Sequence, residues 1–179
     1  MALWSAVESL ASDVWICAVN LRPDLFAARV LRDFSEALPE GMSSRSIPLG
    51  IAARYKFDLR RCIGDIIGKR IDFTNLDDIR KAYKSAFELD DEGTQLLQSE
   101  KLKHLVLIRN LIAHRNGVID DQFKLKTKSA EEVGEELTIT DEIAANFAVL
   151  VEKVGLHLLR IADDALAGAA QKAPLVLEG

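Results

Sequence analysis

Seven apolar residues towards the C-terminal end, Ile143, Phe147, Leu150, Val151, Val154, Leu158 and Ile161, recur at intervals of three and four. At about 3.6 residues per turn this spacing aligns them along one side of a long helix, and Thr140 or Asp141 supplies its start signal. A stripe of that length has to be covered by other apolar elements, so the rest of the chain must provide them. Residues 2–20 carry one such stripe in Leu3, Val7, Leu10, Val14 and Cys17, flanked by Trp4, Trp15 and Ile16. Arg22 and Pro23 open another through Leu25, Phe26, Val30, Phe34 and Leu38, which Pro39, Glu40 and Gly41 close before the polar loop GMSSRSIP.

From Leu49 the chain reads LGIAARYKFDLRRCIGDIIGKR, with Ile51, Tyr55, Leu59, Ile63 and Ile66 or Ile67 at helical spacing. Gly64 and Gly68 each weaken a helix interior by roughly 1 kcal/mol relative to alanine, which allows one helix or two short ones and calls for a bend or a close helix contact. Thr74 followed by Asp77 marks the next start, ahead of Leu76, Ile79, Tyr83, Ala86 and Phe87. Leu89 to Gly93 interrupts the pattern. Thr94 then caps a long helix that runs through Leu96, Leu97, Leu102, Leu105, Val106 and Ile108 and ends near His114 to Gly117. After Gly117 the period changes to two: Phe123, Leu125 and Thr127 alternate with Lys124, Lys126 and Lys128, and Leu137 and Ile139 alternate with Thr138 and Thr140. This predicts two short strands in a small hairpin around SAEEVGEE, lying on the helical body because a lone hairpin is marginal in water. The expected fold is all-α with a small β-hairpin inserted before the last helix.

With 179 residues, 49% of them hydrophobic, the chain supports one substantial core, so residues 1–168 are expected to form a single domain and 169–179 a flexible tail. The net charge of −5 argues against a protein that coats nucleic acid indiscriminately. Positive charge is nevertheless concentrated: residues 54–70 hold six basic side chains against two acidic ones, and 101–128 hold seven against two. The ordinary reading of such runs is a solvated face. Cys17 and Cys62 lie in apolar surroundings with no CxxC pair, as buried reduced thiols would. The N-terminus lacks a positive start and carries Glu8 and Asp13 inside its apolar pattern, unlike a signal peptide, and no uncharged apolar run of about 20 residues is present. A cytoplasmic location without membrane contact is the expectation.

One stretch stands apart. In LVLIRNLIAHRNG, Leu105, Ile108, Leu111 and Ile112 continue a helical stripe, and Gly117 is suited to a left-handed cap, yet the segment also holds Arg109, Asn110, His114, Arg115 and Asn116. At about 100° per residue, Asn110 and His114 share a face whereas Arg109 and His114 diverge by about 140°. Arg109 and His114 can act together if the last turn distorts, if the long arginine wraps round, or if a two-fold partner supplies the second group. The plain alternative is that Arg109 pairs with a carboxylate, Asn110 bonds a loop and His114 complements the helix dipole. His157, within the apolar stripe of the last helix, reads as a satisfied structural residue, and His104 lies outside the motif.

RNLIAHRNG, preceded by a long apolar helix and followed by VIDDQF, resembles the signature of HEPN domains, in which an Arg with a polar neighbour is followed after four to six residues by a His. The match falls on Arg109, Asn110 and His114, while the order of helices extends the resemblance over most of the chain. It implies an up-and-down helical bundle, a homodimer formed through the motif helix, and in many members a metal-independent endoribonuclease of toxin, defence or RNA-processing systems. Other members are catalytically silent modules for dimerisation and partner or nucleotide binding. Chemically, a His near neutral pKa suits removal of a 2′-hydroxyl proton, and an Arg can fork two donors onto phosphate oxygens. Lys103, Arg115, Asn116, Lys124 and Lys126 are the candidate RNA contacts around these catalytic candidates. The sequence shows no acidic metal cluster and no phosphate-binding glycine loop, so no metal or cofactor is expected. The subgroup paired with nucleotidyltransferase antitoxins would place a Tyr two residues after the His, where this chain has Asn116, which leaves the identity of any cognate antitoxin or regulator open.

Overall fold

A computed structural model describes residues 2–34, 49–58, 61–128 and 131–172. They form α1 (Ala2–Leu21), α2 (Pro23–Phe34), α3 (Leu49–Arg54), α4 (Ile63–Gly68), α5 (Leu76–Phe87), α6 (Asp91–Leu97), α7 (Glu100–Arg115), α8 (Asp121–Thr127) and α9 (Asp141–Lys172). The chain is all-α. The expected end of the second helix at Leu38 to Gly41, the GMSSRSIP loop and Leu59 lie outside the described residues.

Helix α1 packs chiefly on α9 and then on α4, while α2 lies on α5. Its buried residues are Trp4, Val7, Ala11, Trp15, Ala18 and Val19, a stripe rotated from the expected one. Leu3, Leu10 and Val14 are only half-buried, and Cys17 is exposed, contrary to its reading as a buried thiol; Cys62 is buried. The tryptophans set the face because they carry the largest apolar area and a polar atom that needs a partner. Trp15 Nε1 donates to the Ala82 carbonyl at 3.0 Å, and the Tyr83 hydroxyl donates to the Ala11 carbonyl at 3.0 Å, tying α1 to α5 twice. By length and apolar content α1 could also cross a membrane, but its tryptophan stripe is seated in the core of this fold.

Of the two options for residues 49–68, the structure has two short helices. The glycines mark a close approach: a Cβ on Gly64 would fall 2.6 Å from the Ile16 carbonyl oxygen, and one on Gly68 would fall 2.9 Å from Ile16 Cγ1. Asn20 of α1 secures this crossing by accepting from Gly64 N at 2.7 Å and donating to Asp65 Oδ2 at 2.7 Å.

Four expectations need correction. Asn75, not Thr74, caps α5, its side chain accepting from Asp77 N and Asp78 N. The long helix expected from Thr94 is two helices, α6 capped by Asp90 and α7 capped by Ser99, whose Oγ accepts from Leu102 N at 3.3 Å. Among the described residues the β-hairpin is not formed. Residues 121–127 are helical, started by Asp120, which accepts from Phe123 N at 2.8 Å, and ended by Lys128 in the left-handed region. Phe123 is 4% exposed and Leu125 80%, so the alternation of apolar residues in FKLKT does not mark one buried face. What pairing exists lies elsewhere: an isolated antiparallel bridge joins Val118 to Glu136, with Ile119 N donating to Glu135 O and Leu137 N to Gly117 O, both at 2.9 Å. Finally, α9 continues to Lys172, so residues 169–172 are helical rather than tail.

Candidate functional site

The buried residues of α7 are Leu102, Leu105, Ile108 and Leu111, which leaves Asn110, His114 and Arg115 on the exposed side. Ile108 and Leu111 join Ile119 and Phe123 in a small core of their own, against which Leu107, Ile112, Leu137 and Phe147 pack. Phe147 also touches the main core and so links the two. The helix ends one residue before the expected glycine: Asn116 takes the left-handed conformation at φ 53°, and its N–H bonds the Leu111 carbonyl. Gly117 follows at φ 83° and donates to the same carbonyl at 3.2 Å. These two residues turn the chain sharply, and Asp120 then starts α8 across the end of α7.

This turn creates a cleft of about 350 Å³ between α7 and α8, lined by Asn110, His114, Arg115, Asp120, Gln122 and Lys126 over a floor that includes Leu111 and Phe123. A second cleft, of about 570 Å³, lies on the other side of α7, and Arg109 and Lys103 line it. Leu107, Asn110 and Lys126 border both. The structure therefore brings Asn110 and His114 together and places Arg109 over the ridge, as the helical angles require. His114 is exposed, and among the described residues no group hydrogen-bonds its imidazole. It lies in the last turn of α7, where a basic residue also complements the helix dipole.

Arg109 is held more firmly. Its Nη1 donates to Asn110 Oδ1 at 3.0 Å, and its Nη2 lies 3.7 Å from Oε1 of Glu8 in α1. Glu8 is a residue that sequence reasoning missed as part of the site, although it shares the motif's own signal, a charged group inside an apolar helical pattern. Asp120 and Gln122 were missed as well. Asp120 sits three residues before Phe123, in the position of a helix cap, and that was its available signal.

The candidate RNA contacts differ among themselves. Lys103 pairs with Glu100 at 2.7 Å, Lys124 with Glu132 at 2.8 Å, and Arg115 approaches Asp120 at 3.6 Å. Asn116 is the backbone cap just described. Lys126 is exposed, borders both clefts and has no ion-pair partner among the described residues. His104 is exposed beside Phe123 and Phe147, its ring centroid 6.0 and 6.1 Å from theirs, outside the cleft that holds His114.

His157 is the opposite of His114. Its side chain is 5% exposed, and its Nε2 lies 2.7 Å from Asp90 Oδ1 while its Nδ1 lies 3.1 Å from Arg160 Nη2. Arginine has no acceptor, so Nδ1 accepts and the proton sits on Nε2, pointing at Asp90. Asp90 also accepts from Gly93 N at 2.8 Å and so caps α6. Burial pushes the Asp90 carboxyl up, but the Gly93 N–H, the His157 bond and the nearby charges outweigh it and hold the carboxyl below its ordinary value. Among the described residues, no group of three or more His, Cys, Asp and Glu side chains is placed to hold a metal ion.

Comparisons with protein-family profiles, with curated proteins and with solved structures return no match to this chain. The functional reading therefore rests on the residues and their geometry.

Proposed function

We propose that this chain is a metal-independent endoribonuclease of HEPN type, an up-and-down bundle that forms a cytoplasmic homodimer through α7 and cuts RNA at a composite site of Arg109, Asn110 and His114 from both copies. The observation that carries this reading is the open imidazole of His114, which shares a cleft with Asn110, Arg115 and Lys126 and has no hydrogen-bond partner among the described residues. An exposed histidine with no hydrogen-bond partner among the described residues, set at the end of a helix whose opposite face is buried, is suited to chemistry on an incoming ligand.

The steps follow from the residue types. One His114 takes the proton from a ribose 2′-hydroxyl, and the 2′-oxygen forms a bond to the adjacent phosphorus. Arg109 donates to the phosphoryl oxygens as charge builds on them. The bond from phosphorus to the 5′-oxygen breaks, and the leaving oxygen takes a proton from the second His114 or from water. The products are a 2′,3′-cyclic phosphate and a 5′-hydroxyl. In one copy Arg109 and His114 open to neighbouring clefts, an arrangement that a two-fold partner would complete by bringing both to one phosphate.

The test is incubation of purified protein with mixed single-stranded and structured RNA in excess chelator. Wild type is expected to cleave and His114→Ala to be inactive; equal cleavage by the two proteins, or none by either, rejects the reading. A second reading, a catalytically silent module for homodimerisation and partner or nucleotide binding, draws on the contact between Arg109 and Glu8, which gives the arginine a task inside its own chain. Cellular toxicity of the wild type that His114→Ala relieves, and that a cognate antitoxin or regulator suppresses, would exclude it.

A further inference from the structure

We propose that Glu8 is a positioning residue for Arg109, a half-buried carboxylate behind the guanidinium that keeps its remaining donors turned towards the cleft. The inference rests on the reading of Arg109 as the phosphate-binding group. The side chain of Glu8 is 16% exposed and that of Arg109 28%. Glu8 Oε1 is fully enclosed and has no hydrogen-bond partner, and the Arg109 Nη2 at 3.7 Å is the cation beside it among the described residues. An enclosed carboxylate oxygen at the edge of the core is costly unless a donor or cation stays close, so Glu8 constrains where the guanidinium can rest.

The arrangement separates support from ligand. Glu8 lines neither cleft beside α7, whereas Arg109 lines one of them and Asn110 lines both. The guanidinium has five N–H donors in a fixed plane. One is given to Asn110 Oδ1 at 3.0 Å and Nη2 lies 3.7 Å from Glu8 Oε1, which leaves others for phosphate oxygens. A phosphate arriving from the cleft meets those donors without displacing Glu8. The position of Glu8, one turn after Trp4 on the helix that forms most of the core contacts, makes the support rigid.

The experiment compares wild type, Glu8→Gln and Asp13→Asn, the last a charge-removing control on an exposed position of α1. Cleavage kinetics and binding of a labelled RNA, the latter on a His114→Ala background, are measured with thermal melting alongside. Glu8→Gln is expected to lower kcat by about ten- to a hundredfold, because small misplacements of a catalytic group have effects of that size. KM is not expected to rise, since removing a negative charge beside the arginine favours the phosphate, and Asp13→Asn changes neither. Active wild type with an unchanged kcat in Glu8→Gln overturns the proposal and leaves the ribonuclease reading standing. Wild type that binds RNA through Arg109 without cleaving it rejects the ribonuclease reading; the proposal then holds if Glu8→Gln changes the Arg109-dependent affinity and fails if it does not. Loss of kcat matched by a collapse in melting temperature assigns Glu8 to stability alone and overturns the proposal, and absence of both cleavage and binding in wild type rejects both.

Discussion

His114 and His157 occupy similar places in the sequence, each on a long helix amid aliphatic neighbours, and the fold treats them in opposite ways. His157 faces the start of α6, where Asp90 and Glu92 meet it together with Arg160 of its own helix, and both ring nitrogens have partners. His114 lies past the last buried turn of α7, where α8 crosses the helix end and leaves a cleft open above a small core separate from the main one. A saturated histidine fastens two helices; an unsaturated one is available to a ligand. The difference lies in what the neighbouring helix brings to the ring.

The largest effect expected from this contrast is on activity. His114→Ala should lower RNA cleavage by about a hundred- to ten-thousandfold, the usual contribution of a general acid or base, with an unchanged melting temperature. A variant that instead unfolds more easily would show that His114 is structural. His157→Ala should do the reverse: loss of about 1–3 kcal/mol in urea unfolding, because Asp90 and Arg160 lose a buried partner, with normal turnover per folded molecule. Equal stability to wild type would remove the clasp from the account.

A smaller effect separates charge from capping. Asp90→Asn keeps a side chain that can cap α6 but removes the carboxylate. The folded protein holds Asp90 below its ordinary value, so its pairing contributes fully above the unfolded value of about 4 and is lost as pH falls through the lower folded value. Urea titrations should therefore show wild type more stable than Asp90→Asn at pH 7 and the gap closing in strong acid. A gap independent of pH would mean that geometry, not charge, is what Asp90 supplies. The smallest effect is expected at the motif end. Asn116→Gly should alter stability by only a few tenths of a kcal/mol, since glycine accepts the left-handed cap at least as well, and should leave RNA affinity unchanged. Weaker RNA binding in that variant would show that the exposed Asn116 side chain contacts RNA.

Much of the helical outline was legible because apolar spacing and caps are local properties. Pro23 starts α2 as expected, and Thr140 Oγ1 accepts from Ile143 N at 3.3 Å at the start of α9. The errors occurred where two local signals compete. In DQFKLKT the alternation of Phe123, Leu125 and Thr127 suggested a strand, but Asp120 caps the segment and Leu125 faces water, so the helix prevails. Between α6 and α7 the apolar pattern runs on through Leu97 and Leu102, while Ser99 caps a second helix. At the other end of α6, Asp90 and Gly93 lie against His157.

For the candidate site, the sequence by itself determined that Asn110 and His114 share one face of a helix and that Arg109 lies off it, because residue angles on a helix need no tertiary information. It also determined that polar residues interrupt an apolar helix, both in the motif and at Glu8. Only the tertiary structure decided that these two interruptions meet, since residues a hundred positions apart come together through the packing of α1 and α7 and not through any local rule. Other contacts, α8 against α7 and the start of α6 against α9, left His114 open and closed the ring of His157, for whether a side chain finds a partner depends on what the rest of the chain places beside it.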